Sequence, residues 1–266
     1  MLSQLTIAFF AFSPVFPLAC AQSVTQETIA GVQSAFSNFS IVPQVISTFK
    51  PSAILDLAFN DSASNSTLDV SPGENLTIEQ TTFEPQFFLT SNSTSSTFVN
   101  STFVIAMVDP DAPTPQNASV AQFRHFLGGN FTLAGPGVNF TLLTNSTPAI
   151  TEYQTPGPPN GSDPHRYILL VFEQPANFTR LATPLVNAST VRTNFNITVF
   201  ANMTGLGLPI AGNFFLTGPE NSTANGTGTA PAPGPSTASS GVLSVGGGGV
   251  GVIGLSLGMA IAGLLL

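Results

Sequence analysis

Short apolar runs separated by polar turns fill the middle of the chain. They are rich in Phe, Val, Ile and Thr, and several alternate apolar with polar positions, as the strands of a half-buried antiparallel sheet do. The runs are AILDLAF (53–59), NLTIEQTTF (75–83), STFVIAMV (101–108), FRHFLGGNFTL (123–133), RYILLVFEQ (166–174) and FNITVFAN (195–202). Only residues 27–36 have the spacing of an amphipathic helix. The pattern therefore predicts a mostly β domain and not a doubly wound α/β fold.

The N-terminus has one longer apolar stretch instead of short runs separated by turns. A largely apolar stretch at 5–16 is followed by the small-residue pattern Ala19-Cys20-Ala21. Two prolines in this region argue against a buried helix, and the pattern predicts a signal peptide at 1–21. Cleavage near Ala21 would remove the single cysteine of the chain, which excludes disulfides and thiol chemistry from the mature protein.

The C-terminus predicts an anchor. Residues 218–240 are a stalk rich in Pro, Ser, Thr and Gly, and residues 241–266 carry no charge. Small residues at Ser239 and Ser240 before an apolar end are typical of a glycosylphosphatidylinositol (GPI) attachment signal. We therefore expect a protein anchored at the cell surface, in the plasma membrane or cell wall. A single transmembrane helix is the alternative, although no Lys or Arg follows the apolar stretch.

Composition supports an extracellular location for the domain at 22–217. The sequence contains seventeen Asn-x-Ser/Thr sequons, which are glycan acceptors only in the secretory pathway. The acceptors that we expect among them include Asn38, Asn75, Asn100, Asn130, Asn160, Asn196 and Asn221. The net charge of −8 and the absence of a basic patch exclude a nucleic-acid partner.

Candidate binding chemistry is concentrated in a few polar residues at strand ends. The apolar run VIAMV leads into the rigid acidic loop Asp109-Pro110-Asp111-Ala112-Pro113. The only two histidines, His125 and His165, each stand next to an arginine, beside Gly- or Pro-rich loops of the kind that build sites. A lone histidine is more often structural, but two in matching settings favour a site.

These motifs carry a resemblance to a known family. DPDAP followed by RHF, and then GPPNGSDPHRY, resembles the two signatures of the phosphatidylethanolamine-binding protein family, which includes the Raf kinase inhibitor-type proteins. Flanking segments such as GLGLPIAGNFF also agree, so the resemblance covers about residues 40–216. With its predicted ends, the chain would be a fungal-like, secreted and GPI-anchored member.

The resemblance implies a fold and a site. The fold is a central antiparallel sheet flanked by a smaller sheet and a few short helices. A small pocket would take phosphate-type anions or phospholipid headgroups, with no cofactor and no catalysis. The residues that the resemblance places at this pocket are Asp109, Pro113, His125, Gly157, Pro158, His165 and Tyr167. We expect Asp109 to orient one of the histidines and raise its basicity, so that anion affinity rises as the pH falls. Val120 stands where the family commonly has a pocket tyrosine, which removes one donor.

Three other functions remain open at this stage. The first is an enzyme, because two aspartates and two histidines are the residue types of a metal site, although the sequence has no HExxH motif and no Gly-x-Ser-x-Gly elbow. Some relatives inhibit serine proteases or carboxypeptidases, so a secreted peptidase is a second expected partner. A structural wall glycoprotein with a vestigial pocket is the third alternative.

Overall fold

The computed structural model describes residues 26–61, 66–91, 95–135 and 140–220. The predicted signal peptide, most of the stalk, the GPI signal with Ser239 and Ser240, and the sequon at Asn221 lie outside these residues. No helix in the described ranges has both the length and the apolar character needed to cross a membrane.

The described chain forms nine strands and a few mostly short helices. The strands are β1 (Ile54–Asp61), β2 (Ser66–Val70), β3 (Glu74–Asn75), β4 (Gln86–Thr90), β5 (Phe103–Asp109), β6 (Phe123–Leu133), β7 (Thr141–Asn145), β8 (His165–Glu173) and β9 (Ala211–Thr217). The helices are α1 (Gln26–Asn38), α2 (Ile41–Gln44), α3 (Ser96–Val99), α4 (Phe178–Ala182) and α5 (Ile197–Thr204), with a 3-10 turn at Glu79–Thr81. The prediction of a mostly β fold is confirmed, and so is the helix predicted at 27–36.

Strand pairing runs in the order β2-β1-β4-β7-β6-β5-β8-β9-β3. The strands β6, β5, β8 and β9 form a large antiparallel sheet, and β7 links it to a smaller antiparallel sheet of β4, β1 and β2. The short strand β3 is parallel to β9. Central strands β5 and β8 pair from Phe103 opposite Glu173 to Val108 opposite Ile168.

Both faces of the large sheet are covered, which explains why β5 and β8 are apolar along 103–108 and 167–172. On one face, Val104, Ala106 and Val108 pack with residues of the helices in one core cluster. On the other face, Phe103, Ile105 and Met107 pack against the smaller sheet in a second cluster. The large sheet is therefore the middle of three layers, and its strand ends are where polar residues can gather.

The strand predicted at 195–202 is wrong, because this segment forms α5. The side chain of Asn196 caps the helix by accepting a 2.9 Å hydrogen bond from the backbone N–H of Val199, and Gly205 ends it at φ 73°. Ile197, Phe200, Ala201 and Thr204 are buried at helical spacing. Burial of this stripe outweighs the strand preference of the Ile-Thr-Val sequence.

The strand predicted at 75–83 is also wrong over most of its length. Only Glu74–Asn75 pairs as a strand, and a 3-10 turn follows. Thr77 and Gln80 exchange two side-chain-to-backbone hydrogen bonds, of 2.9 and 3.1 Å, which is the capping-box arrangement. The local Thr-x-x-Gln pattern therefore turns the chain where β propensity alone predicts a strand.

Candidate functional site

Asp109 and His165 meet at one edge of the large sheet. Asp109 is the last residue of β5 and His165 the first of the antiparallel strand β8, so the pairing brings them together. The Nδ1 atom of His165 lies 2.8 Å from Oδ2 of Asp109. The other carboxylate oxygen, Oδ1, accepts a 2.7 Å bond from the backbone N–H of Asp111. The carboxylate is thus held from both sides, and it fixes the imidazole ring.

The second nitrogen of His165 contacts a residue that the sequence analysis missed. Its Nε2 atom lies 3.0 Å from Oγ of Ser162, and the same hydroxyl donates to the carbonyl oxygen of Asp163 at 2.8 Å. A hydroxyl has only one proton to donate. While the Ser162 hydroxyl donates to the Asp163 carbonyl oxygen, its Oγ can only accept a hydrogen bond from Nε2, and Nε2 must then carry a proton. The Gly-Ser dipeptide before DPHRY was the available signal.

His125 approaches the same carboxylate from β6. Its Nδ1 atom donates to the carbonyl oxygen of Gln154 at 2.7 Å, and its Nε2 atom lies 4.0 Å from Oδ2 of Asp109. Burial lowers the pKa of His125, although the bond to Gln154 and the charge of Asp109 oppose the shift. The carboxylate of Asp109 does act to raise the pKa of His125, as expected. Loss of hydration is the larger effect, however, so the net increase in basicity is not found at His125.

Tyr167 connects the two histidine rings. Its ring is nearly parallel to that of His165, with 6.3 Å between centroids, and stands edge-on to that of His125 at 5.0 Å. Burial, followed by the charge of Asp109, raises the pKa of Tyr167 well above its ordinary value, so the phenol stays neutral. A hydrogen bond joins its hydroxyl to the backbone of Gly157.

The two signature prolines are less closely tied to this cluster. Pro113 is exposed at the far end of the acidic loop, and Pro158 is buried next to Gly157. The structure therefore brings together Asp109, His125, His165, Tyr167 and Gly157. It gives no hydrogen bond or ring contact that links either proline to them within the described residues.

Thr217 is a second polar residue that the sequence analysis missed. It is the last residue of β9 and lies opposite His165 in the strand register. The side chain is fully buried, and its Oγ1 has no hydrogen-bond partner in the described part of the chain. Partners across antiparallel strands share a face. A buried hydroxyl therefore adds to the polar groups around the histidine.

Asp111 has a different role from Asp109. Its two oxygens accept from Nη2 and Nε of Arg166 at 2.7 and 2.9 Å, and Oδ2 also accepts from the Arg166 backbone N–H at 2.8 Å. Both side chains are almost fully buried. This carboxylate is thus committed to a structural ion pair. Within the described residues, no group of three or more His, Cys, Asp or Glu is arranged to hold a metal ion.

Most of the predicted glycan acceptors that the structure describes are accessible. Asn38, Asn75, Asn100, Asn160 and Asn196 are exposed. Asn130 is half-buried, and its Oδ1 accepts from Nε2 of Gln174 while its Nδ2 contacts Thr147. Nδ2 is the atom to which a glycan is attached, so Asn130 is the least suitable acceptor of this group.

Comparison with known proteins agrees with this arrangement. The family model "Phosphatidylethanolamine-binding protein" matches residues 64–215, which is more than half of the chain. The matched segment contains the acidic loop, both histidines and Tyr167.

Individual relatives cover much of the domain. The chain is 28% identical to the carboxypeptidase Y inhibitor of Saccharomyces cerevisiae, over 53% of this chain and 72% of that protein. It is 33% identical to a 26 kDa secreted antigen of Toxocara canis, over 68% of this chain and 62% of the antigen. A crystal structure of carboxypeptidase Y inhibitor complexed with its cognate proteinase shares the fold, with a TM-score of 0.59 and 23% identity over 77% of this chain and 100% of that one.

Proposed function

The chain belongs to the phosphatidylethanolamine-binding protein family, and on this basis we propose that it binds small phosphate-type anions, free or as phospholipid headgroups, without catalysis. The observation that carries the proposal is the cluster of His165, His125 and Tyr167 around the carboxylate of Asp109. In each imidazole Nδ1 has a fixed protein partner, so Nε2 is the donor that a ligand would use. At His165 the ligand would have to displace the Ser162 hydroxyl.

Protonation decides whether these donors exist. The Nδ1–H of His125 is used by Gln154 and that of His165 by Asp109, so in either ring Nε2 can donate only when the imidazole is charged. Anion affinity should therefore rise as the pH falls. Burial lowers the pKa of His125 from its ordinary value of 6.5. The increase in anion affinity that comes from His125 should therefore occur at pH values below 6.5.

The order Ser162, His165, Asp109 resembles that of serine hydrolases, but its surroundings favour binding over catalysis. The Ser162 hydroxyl also contacts the Asp163 carbonyl, and its backbone N–H donates to Pro159 at 3.0 Å. That N–H is consequently not free to stabilise an oxyanion. We expect no labelling of Ser162 by a fluorophosphonate, and labelling would contradict a non-catalytic function.

A phosphorus NMR titration of the full chain tests anion binding. Inorganic phosphate and phosphoethanolamine would be added at pH 5 and 7.5 to the wild type, Asp109→Ala, His125→Ala and His165→Ala, with melting curves to confirm folding. Asp69→Gln, on the exposed face of β2, is the control, because it removes a charge without creating a sequon. Vesicles with and without phosphatidylethanolamine distinguish a lipid headgroup from a free anion. Undiminished binding in all three folded site variants would refute the proposal.

Inhibition of a secreted carboxypeptidase is a second candidate function. It is favoured by the relative named as a carboxypeptidase Y inhibitor. Titration of carboxypeptidase Y with the full chain, with hydrolysis of a peptide substrate as readout, tests it directly. If the chain neither binds phosphate nor inhibits the enzyme, a structural wall glycoprotein is the alternative that remains.

We also propose that the protein is secreted and GPI-anchored, as expected for a fungal-like member. Residues 1–21 and 241–266 would then be absent from the mature form, and phospholipase C would release it from membranes. Recovery of a peptide from 250–266 in the mature protein would contradict the anchor.

Glycosylation is tested separately. Endoglycosidase should lower the apparent mass of the protein, and an unchanged mass would contradict glycosylation.

A further inference from the structure

Arg124 is a buried cation whose hydrogen-bond partners are all neutral. Its side chain is 1% exposed, with Nε 2.7 Å from Oγ1 of Thr151 and the two terminal nitrogens 3.4 and 3.2 Å from the carbonyl oxygens of Val191 and Thr190. The guanidinium carbon also lies 5.0 Å from the centre of the Phe195 ring. In the described part of the chain, no carboxylate forms an ion pair with Arg124.

The contrast with Arg166 shows that this is unusual. Arg166 is equally buried, but Asp111 neutralises it with two charge-assisted hydrogen bonds. At Arg124, burial and the nearby charge of Arg192 lower the pKa to about 10. Arg192 itself donates to the carbonyl oxygens of Arg124 and His125. Two cations therefore lie close together here, and burial of unpaired charge is costly.

Arg124 lies in the wall of a cavity of about 310 Å³. This volume is at the lower end of the range of small-molecule sites, about 300–1,000 Å³. The cavity lies between α5 and the segments that precede it, and its apolar lining includes Leu185, Val186, Phe195, Val199, Phe200 and Met203. Val199 and Met203 are about half exposed, and Val191 is 73% exposed, which places apolar groups where a ligand would enter.

We propose that this cavity binds a small amphipathic monocarboxylate, with its carboxylate against Arg124 and its apolar tail along α5. A guanidinium has five N–H groups, and three are accounted for by neutral partners, which leaves donors for a carboxylate. A carboxylate would supply the missing counter-charge. The apolar lining favours a hydrocarbon tail over a hydrated phosphate group. This site does not depend on the histidine site or on the function proposed for it.

Octanoate is the probe that tests the charge and the tail together. Calorimetric titration of the full chain with octanoate, 1-octanol and octylamine compares one tail with three head groups. Octanoate should bind about tenfold or more tightly than 1-octanol, as expected for one charge-assisted hydrogen bond, and octylamine should bind most weakly. Saturating phosphate should not displace octanoate. Displacement by phosphate would place the octanoate at the histidine site and overturn the proposal.

Two variants locate the site. Val199→Glu adds a negative charge at the third residue of α5, where an acidic residue is compatible with the helix and its cap, so the variant should fold. It should weaken octanoate binding about tenfold with little effect on 1-octanol. The matched control is Leu208→Glu, because Leu208 is 56% exposed and is not part of the cavity lining. It should change neither affinity.

Arg124→Gln keeps hydrogen-bonding groups but removes the charge. The folded variant should bind octanoate and 1-octanol equally. If Arg124→Gln does not fold, the Val199→Glu comparison still decides the question. A wild-type protein that binds octanoate no more tightly than 1-octanol, or whose octanoate affinity is unaffected by Val199→Glu, would overturn the proposal.

Discussion

Both carboxylate oxygens of Asp111 accept hydrogen bonds from the guanidinium of Arg166, at 2.7 and 2.9 Å. Asp109, two residues earlier, forms a hydrogen bond with His165. The two aspartates of the acidic loop therefore bind two consecutive residues of β8, which point to opposite faces of the sheet. One carboxylate orients a ring at the candidate site. The other neutralises a buried cation and fixes the loop that carries the first.

Asp111→Asn should destabilise the fold severely. It leaves the guanidinium of Arg166 buried without a counter-charge, which typically costs about 3–5 kcal/mol of unfolding free energy. Denaturant unfolding monitored by circular dichroism measures this. Asp163→Asn, at an exposed position, is the control and should change stability by less than about 0.5 kcal/mol. Equal stability of the two variants would contradict a structural role for the ion pair.

Two glycines should respond oppositely to alanine. A Cβ on Gly212 of β9 would lie 2.9 Å from the backbone oxygen of Leu169 and 2.9 Å from the Phe36 ring, so Gly212→Ala should lose about 1–3 kcal/mol of unfolding free energy. Gly31 lies inside α1, where an added Cβ would meet no atom within 4 Å among the described residues apart from the helix's own backbone. Gly31→Ala should therefore gain about 0.5–1 kcal/mol. Thermal melting of both variants distinguishes these outcomes from a uniform effect.

The parts of the fold that followed from sequence are those where one physical effect dominates. Residues 103–108 and 167–172 are apolar on both faces because the sheet is covered on both sides, and the strands that contain them were predicted correctly. The strand prediction for 195–202 failed because the β-branched residues of this segment lie in a helix. Burial of one helix face and the Asn196 cap outweigh the local preference for a strand. The strand prediction for 75–83 failed for a similar reason. The two capping hydrogen bonds between Thr77 and Gln80 turn the chain and outweigh the strand preference of the surrounding residues.

The candidate site was predicted unevenly for a different reason. The motifs that carry the family resemblance include Asp109, His125 and His165, and the structure brings these three together. Ser162 and Thr217 were missed because nothing in a sequence marks a hydroxyl that contacts a histidine through folding alone. Burial of His125 was equally invisible, since it depends on elements far apart along the chain.

Asn196 should have two separable roles, as a helix cap and as a glycan acceptor. Its Oδ1 atom accepts from the Val199 N–H, so Asn196→Ala should cost about 0.5–2 kcal/mol of unfolding free energy. Asn196→Asp keeps a capping oxygen but destroys the sequon. Melting curves after endoglycosidase treatment compare the two. If Asn196→Asp destabilises the treated protein as much as Asn196→Ala does, the cap is not the cause.

His125 should make the fold less stable in mild acid. Burial lowers its pKa below the ordinary value of 6.5, so the unfolded chain takes up a proton before the native protein does. Stability should therefore fall as the pH drops below about 6.5, and this group should have no effect above it. His125→Asn retains a donor toward the Gln154 carbonyl but cannot titrate. Unfolding free energies between pH 7.5 and 5 should fall less steeply for the variant.

That comparison also separates His125 from its charged neighbours. Asp109, Arg192 and His165 act on His125, and all three are present in both proteins. The difference between the two pH profiles therefore reports His125. Identical slopes in the two proteins would show that His125 is not the group that loses stability.

Ser162 should compete with an anion for His165. Its Oγ lies 3.0 Å from Nε2, the only nitrogen of this ring that Asp109 does not occupy. A phosphate that binds Nε2–H must first displace the hydroxyl. Ser162→Ala removes this competitor, and a net hydrogen bond of about 1 kcal/mol corresponds to about a fivefold gain in phosphate affinity. Phosphorus NMR titration at pH 5 measures the affinity of each protein.

The design must account for the glycan, because Ser162 completes the sequon of Asn160. Asn160→Gln removes the same glycan but keeps the hydroxyl, and Ser162→Thr keeps both. If hydroxyl competition limits binding, only Ser162→Ala gains affinity. A gain in Asn160→Gln as well would mean that the glycan hinders access to the site. Weaker binding in Ser162→Ala would instead show that the serine hydroxyl contacts the anion directly, since removal of such a contact lowers affinity. Unchanged binding would show that the hydroxyl lies outside the path of the anion.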